Sequence, residues 1–414
     1  MERKKKAAFH TLGCKVNTYE TDAMEQMMRD GGYDIVPFEK GADVYIINTC
    51  SVTNMADHKS RQMLRRARKM NPDAVVVAVG CYVQADPQKA VEDTGADLVI
   101  GNNRKKDLLQ ILHDFMEGRG HNAVINIGDE REYEELELGT IMDHTRAYIK
   151  VQDGCNQFCS YCIIPYTRGR IRSRKPEDVV QEIKRLAKEG IKEVVLTGIH
   201  LSSYGKDWGE ENGLLHLIEK IHDNDGIERI RLGSLEPRII TDEFTERLGK
   251  LDKICPHFHL SLQSGCDTVL KRMNRHYTTG EYLKGCERLR TVFKNPAITT
   301  DVIVGFPGET EEEFEQTKEF LKKVRFYEMH IFKYSPRKGT RAAVMPEQIP
   351  ESVKTERSNC LLQMEKELSE EEIIYRKGNE NSFGKHSSYR TGRLYVGAFP
   401  RIRKSGISHQ KRRY

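Results

Sequence analysis

No apolar stretch of this 414-residue chain approaches the roughly 20 residues needed to cross a bilayer, so no membrane partner is expected. The basic start, Met1 to Lys6, lacks a following apolar region and does not read as a secretory signal. Without such a signal, ten cysteines in a chain of this length point to reduced thiols that serve metals, not to disulfides, and hence to the cytoplasm. A zinc site usually takes two separated cysteine pairs, and only one tight cysteine group is present. Neither sign of charge dominates: the formal net charge is +5, so any nucleic-acid binding must come from local patches. With 38% apolar and 31% charged residues, the composition suits a soluble globular enzyme of two or three domains and argues against long disorder.

What is present is concentrated in one run, Gly-Cys-Asn-Gln-Phe-Cys-Ser-Tyr-Cys, which carries Cys155, Cys159 and Cys162. Three thiolates on one short loop can hold three corners of a cubic iron–sulfur cluster and leave the fourth iron open. A structural zinc or a chance grouping is the alternative. The C-x3-C-x2-C spacing, with Tyr161 before the last cysteine, resembles the radical S-adenosylmethionine enzymes. In that superfamily the open iron binds the amino and carboxylate groups of S-adenosylmethionine.

The first third of the chain alternates apolar strands at 7–13, 43–49, 74–80 and 98–101 with helical stretches at 17–30, 55–70 and 104–117. Continuous apolar strands between helices predict an open parallel sheet covered on both faces. Cys14, Cys50 and Cys81 each fall directly after one of the first three strands. The carboxyl ends of parallel strands share one edge, so these cysteines are expected to converge as ligands of a second cluster. The competing reading is three unrelated buried small residues.

From residue 146 to 335 the alternation runs six more times, with strands expected at 148–152, 193–199, 229–235, 257–263, 297–306 and 326–334. Six such units predict an incomplete (β/α)6 barrel in an overall α/β chain, with the active site at the carboxyl ends of the strands. The three-cysteine loop follows the first of these strands. Polar or glycine residues close the others: Thr197-Gly198, Ser234 with Glu236, Gln263-Ser264-Gly265, and Asp301 with the run Gly305 to Gly308. Together they read as the lining of a cofactor and substrate pocket, although each alone is an ordinary turn residue.

Arg168, Arg170, Arg172 and Arg174 alternate immediately after the cysteine loop. Extended alternation would put them on one face beside the reacting centre, as a clamp for RNA phosphates. A second basic set, Lys59 to Lys69 on the helix after Cys50, is equally well read as a solvated face.

Cys14, Cys50 and Cys81 ahead of the C-x3-C-x2-C group resemble the methylthiotransferase family over about residues 9–341. The specific stretches are His10 to Asn17 and Ile163 to Arg174. The arginine-rich stretch looks most like the branch that acts on N6-threonylcarbamoyladenosine of tRNA, at position 37 beside the anticodon. The resemblance implies two [4Fe-4S] clusters, one on each cysteine triad, with S-adenosyl-L-methionine as cofactor. It places Thr197-Gly198 at the methionine amino group and Tyr161 near the adenine, while Ser234 and Gln263, as polar strand ends, are expected to bind the same cofactor. The tRNA is expected to be held by Arg168, Arg170, Arg172 and Arg174, from their alternation beside the cysteine loop. An electron donor such as flavodoxin or ferredoxin and a sulfur source complete the expected partners.

The resulting domain scheme is an N-terminal methylthiotransferase domain at 1–120, a linker at 121–145, a radical S-adenosylmethionine barrel at 146–340, and a C-terminal stretch at 341–414. Family members usually end in a β-barrel RNA-binding module, the TRAM domain. Here a polar helix is expected at 353–375, followed by a basic tail with no acidic residue after Glu380, so the TRAM-like module reads as absent or truncated. Other readings are a sister branch, acting on isopentenyladenosine in tRNA or a ribosomal-protein aspartate, and a non-catalytic iron–sulfur or RNA-binding protein. A mere carrier has no need of the polar strand ends. Cys255, Cys266, Cys286 and Cys360 have no partners at ligand spacing and read as structural.

Overall fold

The computed structural model describes residues 3–120, 123–139 and 146–380. Strands β1 (Lys6–Thr11), β2 (Asp34–Val36), β3 (Val44–Thr49), β4 (Val75–Gly80) and β5 (Leu98–Ile100) form one parallel sheet in the order β2-β1-β3-β4-β5. Strand β2 escapes notice in the sequence because three residues with one isoleucine show no periodicity. The apolar strands alternate their side chains between two cores. Phe9, Ile46, Val77 and Ile100 pack with Met24, Met28 and Leu108 on one face, while Ala8, Tyr45, Ile47 and Ala78 pack with Leu64, Ala67 and Val83 on the other. Burying a side chain of this kind contributes roughly 1.5–3 kcal/mol, which explains why both faces need helices.

Six further parallel strands make the second unit: β6 (Arg146–Asp153), β8 (Glu193–Gly198), β9 (Arg229–Leu232), β10 (His257–His259), β11 (Ala297–Val304) and β12 (Glu328–Lys333). The two-residue β7 (Arg172–Ser173) pairs antiparallel with the end of β6. Single bridges, Ile230 to Ile254 and Leu235 to Leu260, join the β9 and β10 halves, so the strands follow the expected open barrel order. Its helices start where the local chemistry allows. Thr310 and Glu313 form a reciprocal capping box at the head of Glu311–Val324, as their spacing predicts.

Residues 123–139, expected as a linker, contain no long element but are packed in place. Leu136 and Leu138 are buried in the barrel core, and the Tyr19 hydroxyl donates to the Leu136 carbonyl at 2.6 Å. Tyr19 and Ala23, on helix Lys15–Asp30 of the first unit, enter the same core. A hydrophobic seam therefore joins the two units. The C-terminal helix, Glu351–Glu380, lies along the barrel and buries Leu361 and Met364 in it. The expected basic tail, and with it the question of a TRAM-like module, lies outside the described residues. No helix among the described residues is long and apolar enough to cross a membrane.

Candidate metal centres and substrate cleft

Sheet order β2-β1-β3-β4-β5 reverses direction between β1 and β3, and the crevice beyond such a reversal is where open α/β sheets bind ligands. Cys14 and Cys50 follow β1 and β3 at that point, and Cys81 follows β4. Two side chains lace these loops together. Asn17 Nδ2 donates to the carbonyls of Leu12 (2.6 Å) and Thr49 (3.1 Å), tying the Cys14 loop to the Cys50 loop. Thr49 Oγ1 donates to Val79 O at 2.6 Å and accepts from Tyr82 N, tying the Cys50 loop to the Cys81 turn. The approach is so close that a Cβ on Gly13 would sit 2.9 Å from Cys50 Sγ. Burial pushes the Cys50 thiol up to about 12, aided by repulsion from Cys81. Three thiol side chains brought to one sheet edge by loops that Asn17 and Thr49 lace together are the donor type a metal cluster takes.

On the barrel, Cys155 begins its loop directly after β6 and Gly154. Gly154 has φ +70°, and a Cβ there would meet Arg170 O at 1.8 Å, so the loop can turn only at glycine. Cys155 N donates to Gly169 O, and Cys162 N donates to Cys159 O. The far side of the loop is braced from the segment after helix Asp267–Arg272. Asn274 Nδ2 donates to the carbonyls of Gln157 and Phe158, and Ser160 bonds Met273 and Arg272. Arg275 Nη1 donates to Cys159 Sγ at 3.1 Å while its guanidinium lies 4.9 Å from the Tyr277 ring centre. Burial pushes Cys155 up to about 11, and raises Cys162 further with help from Cys159. Three thiols on one short loop, braced from Met273 and Asn274, are again the donor type a cluster takes.

Thr197 and Gly198 end β8, Ser234 lies just past β9, and Gln263 lies past β10 with φ +70°. They share the edge that carries the cysteine loop. Gly198 is pressed against Gln152 at the end of β6, where a Cβ would come 2.9 Å from the amide oxygen. Tyr161 packs edge-on against Phe306, and its hydroxyl is held far above its ordinary pKa by burial. His200, two residues past Gly198, is a neighbour that its lone position in the sequence does not reveal. Burial holds it neutral, with a pKa lowered to about 3, and its Nε2 has no partner among the described residues.

The arginine run departs from expectation. Arg168 ends a short helix, Ile164–Arg168, and Arg172 lies in β7, so the four do not alternate on one extended face. Arg168 and Arg172 are fully buried and Arg174 nearly so. Arg174 pairs with Glu135 and Glu182, and Arg172 lies 3.8 Å from Asp153. Arg168 pairs with Glu20 and Asp153. These three therefore present no guanidinium to RNA: alternation shows that residues share a face, while packing decides whether that face meets solvent. Only Arg170 is exposed, with its guanidinium 4.8 Å from the Phe158 ring centre. It lines a cleft of about 660 Å³ with Arg131, Asn156, Gln157, Ile171, Ser203, Lys206 and Asp207. Exposed Tyr166 stands edge-on to Phe158 beside it. On the helix after Cys50, Arg68 is used within its own domain, bonding Pro72 O, Ala74 O and Asp97.

Residues 6–101 match the model of uncharacterized protein family UPF0004, and residues 149–321 match that of the radical SAM superfamily. Over 365 residues the chain is 47% identical to the threonylcarbamoyladenosine tRNA methylthiotransferase MtaB of Bacillus subtilis (strain 168), covering 88% of this chain and 81% of the relative. The chain belongs to the radical SAM methylthiotransferase family. MtaB of Aquifex aeolicus (strain VF5) is 42% identical, with 91% of each chain covered. The tRNA-2-methylthio-N(6)-dimethylallyladenosine synthase of Thermoanaerobacter sp. (strain X514) is 38% identical, over 89% of this chain and 79% of the relative. Among solved structures, the radical S-adenosylmethionine methyltransferase TsrM of Kitasatospora setae superposes with a TM-score of 0.60 at 16% identity, covering 82% of this chain and 75% of that one. That likeness concerns the fold.

Proposed function

We propose that this methylthiotransferase acts on tRNA and converts N6-threonylcarbamoyladenosine at position 37, beside the anticodon, to its 2-methylthio derivative. The observation that carries the reaction is the pair of separate cysteine triads, one at the edge of the N-terminal sheet and the other on the barrel edge that Thr197, Gly198 and Gln263 line. The choice of modified base is supported by the higher identity to the two MtaB proteins, 47% and 42%, than to the dimethylallyladenosine enzyme, 38%.

In this reading Cys155, Cys159 and Cys162 hold one [4Fe-4S] cluster and Cys14, Cys50 and Cys81 an auxiliary one. With the electron donor's electron, the barrel cluster would cleave one S-adenosylmethionine to methionine and the radical that takes hydrogen from carbon 2 of the adenine, while the auxiliary cluster would supply the sulfur and a second S-adenosylmethionine its methyl. The chain supplies placement. Gly154 and Asn274 fix the barrel loop, Arg275 donates to Cys159, and Tyr161 and Phe306 wall the cofactor side against water. The expected partners are tRNA, a flavodoxin- or ferredoxin-type electron donor and a sulfur source, and the compartment is the cytoplasm.

Comparing the nucleosides of tRNA from cells with and without the gene by mass spectrometry tests the function. The 2-methylthio form should vanish and its unthiolated threonylcarbamoyl precursor accumulate. Loss of the isopentenyl derivative instead would assign the chain to the sister branch.

Arg170, Lys206 and Arg131, with Phe158 and Tyr166, form the surface we assign to the tRNA backbone and an unstacked base. Removing one cation that neutralises a phosphate flattens the salt dependence of binding by about one unit of slope. The double change Arg170→Ala and Lys206→Ala should therefore reduce the slope by about two units, with weaker tRNA binding at every salt concentration. An unaltered slope would remove this cleft from the interface.

A further inference from the structure

We infer that Arg168, a residue of the barrel, is a positioning residue of the auxiliary centre in the other unit, where it sets the electrostatic environment of Cys81. This deepens, and rests on, the reading of Cys14, Cys50 and Cys81 as cluster ligands. Arg168 lies six residues after Cys162, so the loop carrying one triad sends a side chain to the other. Its Nε donates to Cys81 Sγ at 3.3 Å. Nη1 donates to Glu20 at 2.5 Å and to Asp153 at 3.2 Å, and Nη2 donates to Asn17 Oδ1 at 2.6 Å and to Glu20 at 3.1 Å. All three nitrogens of a fully buried guanidinium are thus committed, and the rigid planar fork cannot swing away from the sulfur. The Asn17 it grips is the residue that ties the Cys14 and Cys50 loops together. The backbone behind it is equally constrained: Gly169 has φ +72°, and a Cβ there would meet Ile127 O at 2.3 Å.

The surrounding charge points the same way. Lys105, Lys150 and Arg168 pair with Glu20, and Lys150, Arg168 and Arg172 lie within 4 Å of Asp153, so four buried cations converge on two buried carboxylates. Buried charge demands compensation, and a thiolate-bound cluster on Cys81 would place negative charge beside Arg168, one of the four. A hydrogen bond donated to a ligand sulfur, together with a nearby cation, favours the reduced form of an iron–sulfur cluster. Arg168 therefore holds the auxiliary potential up, and it ties that cluster's position to the loop of the first.

The test uses full-length protein in which Cys155, Cys159 and Cys162 are alanine, so that only the auxiliary cluster is bound. Its midpoint potential is measured by redox titration, alone and with Arg168→Gln, Arg168→Lys or Lys150→Met. Lys150 shares Glu20 and Asp153 with Arg168 but makes no bond to a cysteine, so its variant reports the effect of disturbing the buried ion pairs alone. The expected result is a lower potential in Arg168→Gln, with smaller drops in Arg168→Lys, which keeps the charge, and in Lys150→Met, which removes a cation that bonds no cysteine. Loss of iron in the two Arg168 variants, with Lys150→Met still loaded, supports the same conclusion. An unmoved potential in Arg168→Gln, an equal shift in Lys150→Met, or loss of iron in all three overturns it. Absence of iron from the parent variant would instead refute the cluster reading, and the inference with it.

Discussion

Alanine in place of Cys159 should abolish 5′-deoxyadenosine formation by the anaerobically reconstituted and reduced protein. The three barrel thiols come from one eight-residue loop that the chain holds at both ends. Gly154 permits the sharp entry, and Ser160 and Asn274 pin the far side to the segment around Met273. With the loop so constrained, no neighbouring residue can move in to replace a missing thiolate. Cys159 also receives the Arg275 guanidinium, so its loss leaves a cation without its acceptor beside the cofactor pocket. The barrel itself should survive, because its core of Ile149, Val194, Leu196, Phe258 and Val302 is independent of the loop. Circular dichroism should therefore remain unchanged while cleavage of S-adenosylmethionine falls to background. Cleavage at the parent rate by Cys159→Ala would refute the assignment of this triad.

The triple variant Cys14→Ala, Cys50→Ala, Cys81→Ala should lose about half of the bound iron yet still cleave S-adenosylmethionine, since each triad suits one four-iron cluster. Methylthiolation of tRNA should be absent. The separation of effects follows from the architecture. The two triads lie on different sheets, each with its own apolar core, and the units meet along the seam made by helix Lys15–Asp30 and Arg168 and again where Arg337 bonds Ser51, Asn54 and Asp57. Iron content equal to that of the parent would show these cysteines to be packing residues, the alternative that their burial leaves open.

Much of this architecture is legible before folding is considered. Strands such as Val75–Gly80 are runs of valine that no surface could carry, and their alternation with helices forces a parallel sheet. The capping box at Thr310 depends on residues three apart, so it too is local. Placing Cys14, Cys50 and Cys81 at one edge needs only the rule that parallel strands end together. The arginines mislead because their pattern is local and their fate is not. Arg168, Arg170, Arg172 and Arg174 look alike in the chain, and the structure gives them unlike environments: three are buried in ion pairs with Glu20, Asp153, Glu135 and Glu182, and one is in solvent. Their carboxylate partners lie on helix Lys15–Asp30, in residues 123–139 and on other barrel elements, at separations up to 148 residues. Arg275 and Asn274 escape notice because an arginine or asparagine after a helix is ordinary until a distant cysteine loop is folded against it.

By itself, then, the sequence determined the two cysteine triads, the two α/β units and the strand ends on which chemistry is placed. These follow from spacing and periodicity, which covalent geometry imposes over a few residues. Only the tertiary structure decided which cations face solvent and which are spent inside, that residues 123–139 are packed rather than a spacer, and that a barrel arginine reaches a cysteine of the other domain. Those outcomes depend on which distant surfaces meet, and a buried guanidinium is tolerable only where the fold has already brought carboxylates and a sulfur to receive it.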